Sequence, residues 1–485
     1  MSERISKSTK SFRHGVHPGE HKELTALRLL ERFPIPEEVV LPLNQHLGAP
    51  SKPIVGVGEK VYRGQKIADA NGYVSVSLHA SVTGRVKAIE KRHHPTGRLE
   101  EAFVIETDTS SPQTLYNEGP IEWESRPIDE LLRLIQDGGF VGLGGAAFPT
   151  HVKLAVPEGK HAQYFMVNGA ECEPYLTSDH RIMLEWADSI YLGIRIIMKI
   201  LGAEKSFIGV ETNKWDAIKS LAVRVPEDLP CEIVPLETKY PQGAEKMLIT
   251  AVLKREVPSG KLPIDAQVVV QNVGTVAGIG DLFAYGQPLI ERVVTVTGPG
   301  IRNPSTLLVP IGAELGQVLD YCGGLEENVR QVLFGGPMMG APQQFLEVPI
   351  TKGTSGILCL TDDQIRYRKE YPCIRCASCV DACPVFLNPS ELGQLARVRR
   401  WDEMLHYHIL DCMECGACSY VCPSNIPLVQ RFRVAKAMLR EKAVREAAAK
   451  REAEQAAERE KEREAAAEKE EESAAGGESK GAAPE

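Results

Sequence analysis

No stretch of this chain is apolar for long enough to cross a bilayer. The longest candidate, Ser189 to Leu201, is broken by Arg195 and Lys199 and falls short of the roughly 20 residues a spanning helix needs. Any association with a membrane is therefore expected to be peripheral. The amino terminus, Met1-Ser2-Glu3-Arg4-Ile5-Ser6-Lys7, lacks the apolar core of a signal peptide, so a reducing, cytoplasmic setting is expected. No domain is strongly basic and the formal net charge is −9, so the chain offers no surface to neutralise phosphates and no nucleic-acid partner is expected. What it does have is length for about three or four domains, a composition 43% hydrophobic, and twelve cysteines, eight of them in a repeated pattern.

The pattern is Cys373-x2-Cys376-x2-Cys379-x3-Cys383-Pro384, followed by Cys412-x2-Cys415-x2-Cys418-x3-Cys422-Pro423. This C-x2-C-x2-C-x3-C-P spacing is that of a ferredoxin with two [4Fe–4S] clusters, in which the fourth cysteine of each run reaches the other cluster. The expected sets are Cys373, Cys376, Cys379 and Cys422 for one cluster, and Cys412, Cys415, Cys418 and Cys383 for the other. Zinc would favour paired C-x2-C knuckles, and disulfides need an oxidising compartment. The remaining cysteines, Cys172, Cys231, Cys322 and Cys359, are scattered and read as buried small hydrophobes.

Taken in order, residues 1–35 are polar and irregular, with Phe12-Arg13-His14-Gly15-Val16-His17-Pro18 as the compact feature. His14 and His17 are expected to be packed or solvated rather than metal ligands. From Ile35 to Glu106 short strands are split by glycines: Val39–Leu41, Pro53–Val55, Val74–Leu78 and Gly84–Ile89. Val61–Ala68 and His79–Val86 are similar to the two halves of a biotinyl/lipoyl-type barrel-sandwich. Ile67 to Gly84 contains no lysine to carry a prosthetic group, so scaffolding is expected. An amphipathic helix over Ile128–Asp137 leads into Gly142-Leu143-Gly144-Gly145-Ala146-Ala147-Phe148-Pro149, with Lys153 beyond; closely spaced glycines bring backbone amides near an anion. A strand at Tyr164–Val167 ends in Asn168-Gly169-Ala170-Glu171-Cys172-Glu173-Pro174, groups suited to sugar or ribityl hydroxyls. After Arg433 the chain is rich in Ala, Glu, Lys and Arg; an exposed helix with i,i+4 charge pairs and a disordered end from Ser473 are expected.

The Gly142–Lys153 and Asn168–Pro174 segments resemble the flavin-binding core of the NADH-oxidising subunit of respiratory complex I, which reads G-R-G-G-A-G-F-P and N-A-D-E-x-E-P. Tyr240-Pro241-Gln242-Gly243-Ala244-Glu245 resembles its Y-x-C-G-E-E turn, and Gln271-Asn272-Val273-Gly274-Thr275 its N-N-V-E-T strand end. Leu143, Ala170 and Ala244 depart from that pattern. Residues 293–340, with a helix at Leu315–Tyr321, resemble the β-grasp (SLBB-like) module that follows in the same family, where packing is the expected role. With the barrel in front and two clusters behind, the order resembles the RnfC family, a component of the Rnf (Rsx) ion-translocating electron transport complex. The fold class expected is multidomain α/β and α+β: barrel-sandwich hybrid (1–120), flavin domain (121–288), β-grasp module (289–360), two-cluster ferredoxin-like segment (361–432) and charged tail (433–485).

The resemblance implies non-covalent FMN, two [4Fe–4S] clusters and NADH as substrate. It implies that Gly142, Gly144, Gly145 and Lys153 hold the FMN phosphate, and that Asn168, Glu171, Tyr240, Gly243 and Asn272 line the ribityl chain and ring. Phe148 would stack NADH, with Glu173 and Glu245 positioning its ribose or nicotinamide. A flavin is needed because NADH gives two electrons at once and each cluster takes one. By the same resemblance the partners are integral membrane, flavin and iron–sulfur subunits, with ferredoxin as distal partner. The place is the cytoplasmic side of the bacterial inner membrane, and electron flow is coupled to Na+ or H+ translocation. Two alternatives stay open: a soluble flavin-dependent cobalamin reductase, and an iron–sulfur relay that does not bind nucleotide.

Overall fold

The computed structural model describes residues 4–365 and 369–475. The chain divides into two compact units, Met1–Phe386 with Cys415–Ile426, and Leu387–Glu414 with Pro427–Glu485.

In the first unit, alternating apolar residues close a small barrel-sandwich. One sheet has the order Glu38–Pro42, Leu99–Thr107, Gly84–His93, Lys60–Val61; the other pairs Lys52–Pro53, Lys66–Asp69 and Leu78–His79. Val39, Leu41, Ile67, Val86, Phe103 and Ile105 fill its centre and are inaccessible to solvent. The strand expected at Val74–Leu78 shrinks to Leu78–His79. Its first half cannot join the ladder, because Ser77 N bonds the Gln136 carbonyl (3.2 Å) and the Ser75 carbonyl accepts from Gln136 Nε2 (3.0 Å). The helix Ile128–Asp137 forms where expected and buries Leu131 and Ile135.

Four parallel strands follow: β1 (Tyr164–Gly169), β2 (Lys205–Glu211), β3 (Cys231–Leu236) and β4 (Val268–Asn272), arranged β3-β2-β1-β4. Between and after them come α1 (Ser178–Glu185), α2 (Ala187–Leu201), α3 (Trp215–Arg224), α4 (Glu245–Leu253) and α5 (Val273–Tyr285). The chain first builds outward from β1 through β2 to β3, then returns to the opposite side for β4. The carboxyl ends of β1 and β4 therefore diverge at a topological switch point, the place where such sheets bind ligands. The motif residues Asn168 and Asn272 lie at those ends.

The helices α2 and α5 approach backbone to backbone. A Cβ at Gly193 would stand 2.0 Å from the Val276 carbonyl oxygen, and one at Gly280 would stand 2.0 Å from that of Ser189. This approach sets where α5 begins, and its first turn borders the crevice.

The supposedly irregular amino terminus is structural. Ser6 N and Lys10 N donate to the carbonyls of Ile233 and Pro235 (2.9 and 2.8 Å), so the segment runs along the open edge of β3 and satisfies its backbone groups. Farther on, Leu30–Arg32 adds a parallel strand beside Ser305–Pro310 at the edge of a six-stranded sheet. That sheet is the β-grasp module: Glu291–Thr297 and Ser305–Pro310 are antiparallel, the helix Leu315–Tyr321 follows, and Gly356–Thr361 lies parallel beside Glu291–Thr297.

The second unit contains Pro389–Arg397, Trp401–His406 and one long helix, Leu428–Ala475. The long helix starts five residues before the expected tail, and its first turns bury Leu428, Val429, Phe432, Ala435 and Leu439. A Cβ at Gly393 would lie 2.4 Å from Leu428 Cδ2, so the shorter helix packs closely against that start. Farther along, the helix is solvated and carries i,i+4 pairs such as Glu441–Arg445 (3.4 Å) and Lys450–Glu454 (3.8 Å). Ser473–Ala475 belong to it, and the remainder of the expected disordered end lies outside the described residues. Among the described residues no helix is long and apolar enough to cross a membrane.

Gly193→Ala and Gly280→Ala should each lower the stability of this unit by about 1–3 kcal/mol, because each methyl meets backbone that cannot move aside. The urea unfolding midpoint measures this; an unchanged midpoint would mean the helices separate freely.

Candidate functional site

The glycine-rich loop reaches the crevice already shaped. Gly142 N donates to the Phe148 carbonyl (2.8 Å) and Ala147 N to that of Gly142 (3.2 Å), closing the loop on itself. Leu143 anchors it: its N–H donates to Thr275 Oγ1 in α5 (2.9 Å), and its carbonyl accepts from Arg292 Nη2 (3.1 Å). The Leu143 side chain is buried, so this departure from the motif faces the core. At the tip, Gly144 lies against Asn272, with its notional Cβ 3.5 Å from Asn272 Cβ. Gly145, at φ +114°, faces open space. Phe148 is half-buried beside the exposed tip. Farther back, buried Lys352 ties Gly139 to the barrel by donating to the carbonyls of Gly139 (2.7 Å) and Ser77 (3.0 Å).

Across the crevice, Asn168 Nδ2 donates to the Gly243 carbonyl (2.7 Å), joining the end of β1 to the turn before α4. Gly243 N donates to Cys172 Sγ (3.2 Å), so Cys172 is part of the site rather than filler. Lys153 and Glu245, expected to hold phosphate and nucleotide, form an ion pair. Burial brings the Lys153 ammonium down to about 8. Asn272 caps α5 by accepting from Gly274 N (2.9 Å), and its amide donates to Asp179 (2.8 Å).

Two expected flavin ligands are placed elsewhere. The Glu171 carboxylate turns inward to the first turn of α1, where it accepts from Asp179 N (2.7 Å) and Ser178 Oγ (3.2 Å). Those amides have no partner within the helix, and an anion satisfies them best. Tyr240 is 1% exposed, and its hydroxyl donates to the Cys415 carbonyl (2.7 Å) in the second cysteine loop.

Beneath the β1 loop lies buried charge. Lys22 donates to the carbonyls of Glu171 and Glu173 (3.0 Å each) and of Leu176, and burial lowers its pKa. Lys214 donates to the Ala170 carbonyl (2.9 Å) and to Glu211 (3.2 Å). Burial, with the Glu171 charge adding to it, raises Asp179 to about 7, and burial lowers Arg292 to about 10 with Asp179 opposing. Glu173 is raised to about 7 by burial, opposed by the N–H groups of Met338 and Met339. Its Oε2 accepts from Met338 N (3.1 Å), while Oε1 is buried without a partner among the described residues. The β-grasp module thus supplies Arg292 and Met338 to the site, beyond the packing role expected of it. Nothing in the sequence pointed to Lys22, Asp179 or Arg292, because none belongs to a local motif.

The cysteine loops share one backbone. Arg375 and Ala377 in the first, and Glu414 and Gly416 in the second, have φ between +57° and +80°, and Phe386 and Asn425 match at +56° and +51°. Alternating handedness turns successive N–H groups inward, the nest that holds iron–sulfur sulfurs. Arg375 N donates to Cys373 Sγ, and Ser378 Oγ to Cys376 Sγ (3.4 Å each). Burial raises the Cys379 thiol, and Cys422, Cys373 and Cys376 stand near enough to raise it further. Those four are the first expected quartet. His14 is half-buried and His17 exposed, and Nδ1 of each bonds a carbonyl, of Asp381 and Thr238 respectively. The other scattered cysteines, Cys231, Cys322 and Cys359, are buried as expected.

The residues fit the implied groups. Around the crevice, buried polar atoms of Gln242, Gln271 and Glu173 lack partners among the described residues, and the glycine tip is open to an anion. A glycine-rich loop at a switch point, joined to paired cysteine nests, defines a flavin and iron–sulfur electron-transfer protein. Comparison with known proteins agrees: family models match for the RnfC barrel sandwich hybrid domain (residues 10–110), the Nuo51 FMN-binding domain (135–281), the SLBB domain (293–342) and the 4Fe-4S dicluster domain (371–426). The chain is 45% identical over 440 residues to the RnfC-type subunit of the proton-translocating ferredoxin:NAD(+) oxidoreductase complex of Clostridium ljungdahlii, covering 90% of this chain and 96% of that one. It is 46% identical over 429 residues to its counterpart in the Na(+)-translocating complex of Acetobacterium woodii, covering 88% and 96%. It is 38% identical to the counterpart in the ion-translocating oxidoreductase complex of Rhodobacter capsulatus, covering 90% and 84%. The chain belongs to this family, the RnfC-type subunits of ion-translocating ferredoxin:NAD(+) oxidoreductase complexes.

Two outcomes follow from the buried charges. A carboxyl held near 7 in the fold, against an ordinary 4.5, binds more protons folded than unfolded between those values. Its stabilising contribution is full below 4.5 and is lost as pH rises to 7, so Glu173→Gln should flatten that part of the stability curve, read from urea midpoints across the range. Lys22→Met should cost about 3–5 kcal/mol by leaving buried carboxylates uncompensated, and should loosen FMN retention on gel filtration.

Proposed function

We propose that the chain is the peripheral NADH-oxidising subunit of a membrane-bound, ion-translocating ferredoxin:NAD(+) oxidoreductase. The observation that carries this reading is the placement of an open glycine loop at the β1/β4 switch point in the same compact unit as seven of the eight cysteines of the repeated pattern. When bound, FMN supplies the exchange between the two-electron hydride of NADH and the single electrons that iron–sulfur clusters accept.

The protein's part is to bind and orient. Gly142, Gly144 and Gly145 present backbone N–H groups to the FMN phosphate, and Lys153, released from Glu245, adds charge there. Asn168, Gly243 and Asn272 border the ribityl chain and ring. Phe148 flanks the nicotinamide, with Glu173 and Glu245 positioning the nucleotide. Cys373, Cys376, Cys379 and Cys422 hold one cluster; Cys383, Cys412, Cys415 and Cys418 hold the other, an assignment that rests on spacing. Electrons pass to iron–sulfur and flavin subunits embedded in the membrane, with ferredoxin at the far end, and the chain docks on the cytoplasmic face. The named relatives support those partners, and the lack of a spanning helix among the described residues suits a peripheral place.

Anaerobic titration with NADH of the reconstituted protein tests this. About one FMN and about eight irons per chain, with flavin bleaching followed by a reduced-cluster signal, are expected. Full clusters with no bound flavin, or a flavin indifferent to NADH, would leave only a relay.

A further inference from the structure

The two cysteine nests share a backbone but not surroundings. The second lies against the flavin side of the unit: Val16, Tyr240, Ala382 and Ala417 form one buried apolar patch, on which Cys172, Met338, Cys415 and Val421 also pack. Tyr240 is fixed at both ends, its backbone paired with Val16 (2.8 Å each way) and its hydroxyl on the Cys415 carbonyl (2.7 Å). The Met338 carbonyl is 3.2 Å from where a Cβ on Gly416 would stand, while Met338 N is held by Glu173 at the crevice. Cys172, on the same patch, accepts from Gly243 N. Short, dry links therefore join the crevice loops to the second nest. The first nest looks outward. Residues 369–377 are all exposed, Cys373 and Cys376 included, and Ile374 is 68% exposed. Tyr371 N donates to the Ser424 carbonyl, and the carbonyls of Pro372 and Lys369 accept from Ser424 Oγ and Asn425 Nδ2, all within the cysteine-rich segment itself.

We infer that Tyr240 is the positioning residue that joins the crevice to the second nest, so that a cluster held by the set assigned from spacing, Cys383, Cys412, Cys415 and Cys418, would be the receiving cluster, and one held by Cys373, Cys376, Cys379 and Cys422 would pass electrons out. This rests on the function proposed above. Each transfer moves one electron, reducing the receiving cluster by one and making or breaking no bond; Tyr240 excludes water and fixes the loop without being oxidised. The membrane partner that docks at the exposed nest is the final oxidant.

The test uses the full chain loaded with FMN and both clusters. Cys418→Ser and Cys376→Ser assign the two reduced-cluster signals in electron paramagnetic resonance, each altering one. Tyr240→Phe and Tyr240→Ala are then titrated potentiometrically with a chemical reductant and no NADH. Water admitted to a cluster favours its more highly charged reduced form. Tyr240→Ala should therefore raise the midpoint of the Cys418-dependent signal and leave the other unmoved. Tyr240→Phe should do so less, and reports alone if the alanine variant fails to fold. Freeze-quenching after NADH should show the Cys418-dependent signal first. A shift in the Cys376-dependent signal, no shift in either variant, or first reduction of the Cys376-dependent cluster would overturn the assignment. Because the potentiometric part needs no NADH, a protein that NADH cannot reduce would count against the proposed function and leave the Tyr240 result readable.

Discussion

Six ionisable side chains, four of them buried and two half-buried around one loop, set the terms for the rest of the site. Lys22, Lys214 and Arg292 face Glu171, Glu211 and Asp179, and between them they fix the chain from Ala170 to Asp179. Ions taken out of water destabilise a fold unless each finds a partner and further hydrogen bonds. Here the two lysines satisfy that condition largely with backbone carbonyls, so the balance of charge and the shape of the loop are one constraint. The loop cannot change conformation without stranding a cation.

That constraint is assembled from three parts of the chain. Lys22 arrives from the amino-terminal segment, Lys214 and Glu211 from the β2–α3 turn, and Arg292 from the first strand of the β-grasp module. The barrel contributes at one remove, since Lys352 holds Gly139 against Ser77. None of these modules is an ornament on a flavin domain. Each holds in place a segment that leads into or borders the crevice.

This assembly explains what could be read from sequence and what could not. The cysteine nests were legible because a ligand loop is local: spacing alone determines which sulfurs can share a cubane, and the repeated left-handed residues at 375, 377, 414 and 416 follow from it. Helices such as Ile128–Asp137 and Leu315–Tyr321 declared themselves by period. The strand Leu99–Thr107 passed unnoticed because charged Glu100 and Glu101 mask its apolar second half. Glu171 and Tyr240 stand at motif positions, but their side chains bond away from the crevice. Which way each side chain turns is decided by α1 and by Cys415, and the latter lies 175 residues away. Lys22 was silent for the same reason, its carbonyl partners being about 150 residues downstream.

The edge formed by the first residues has a consequence for how the protein is made. Arg4 bonds the Leu229 carbonyl, 225 residues farther along, and Leu30–Arg32 completes a sheet whose other strands begin beyond residue 290. Both segments are synthesised well ahead of the strands they pair with, and neither has a surface to rest on until more than 200 further residues have followed. Such distant pairing carries a large loop-closure cost before any contact compensates it. The parallel sheet therefore spends its assembly with one edge bare, the state in which strands recruit neighbours from other molecules. The segment that folding uses to close the edge is made long before the edge exists.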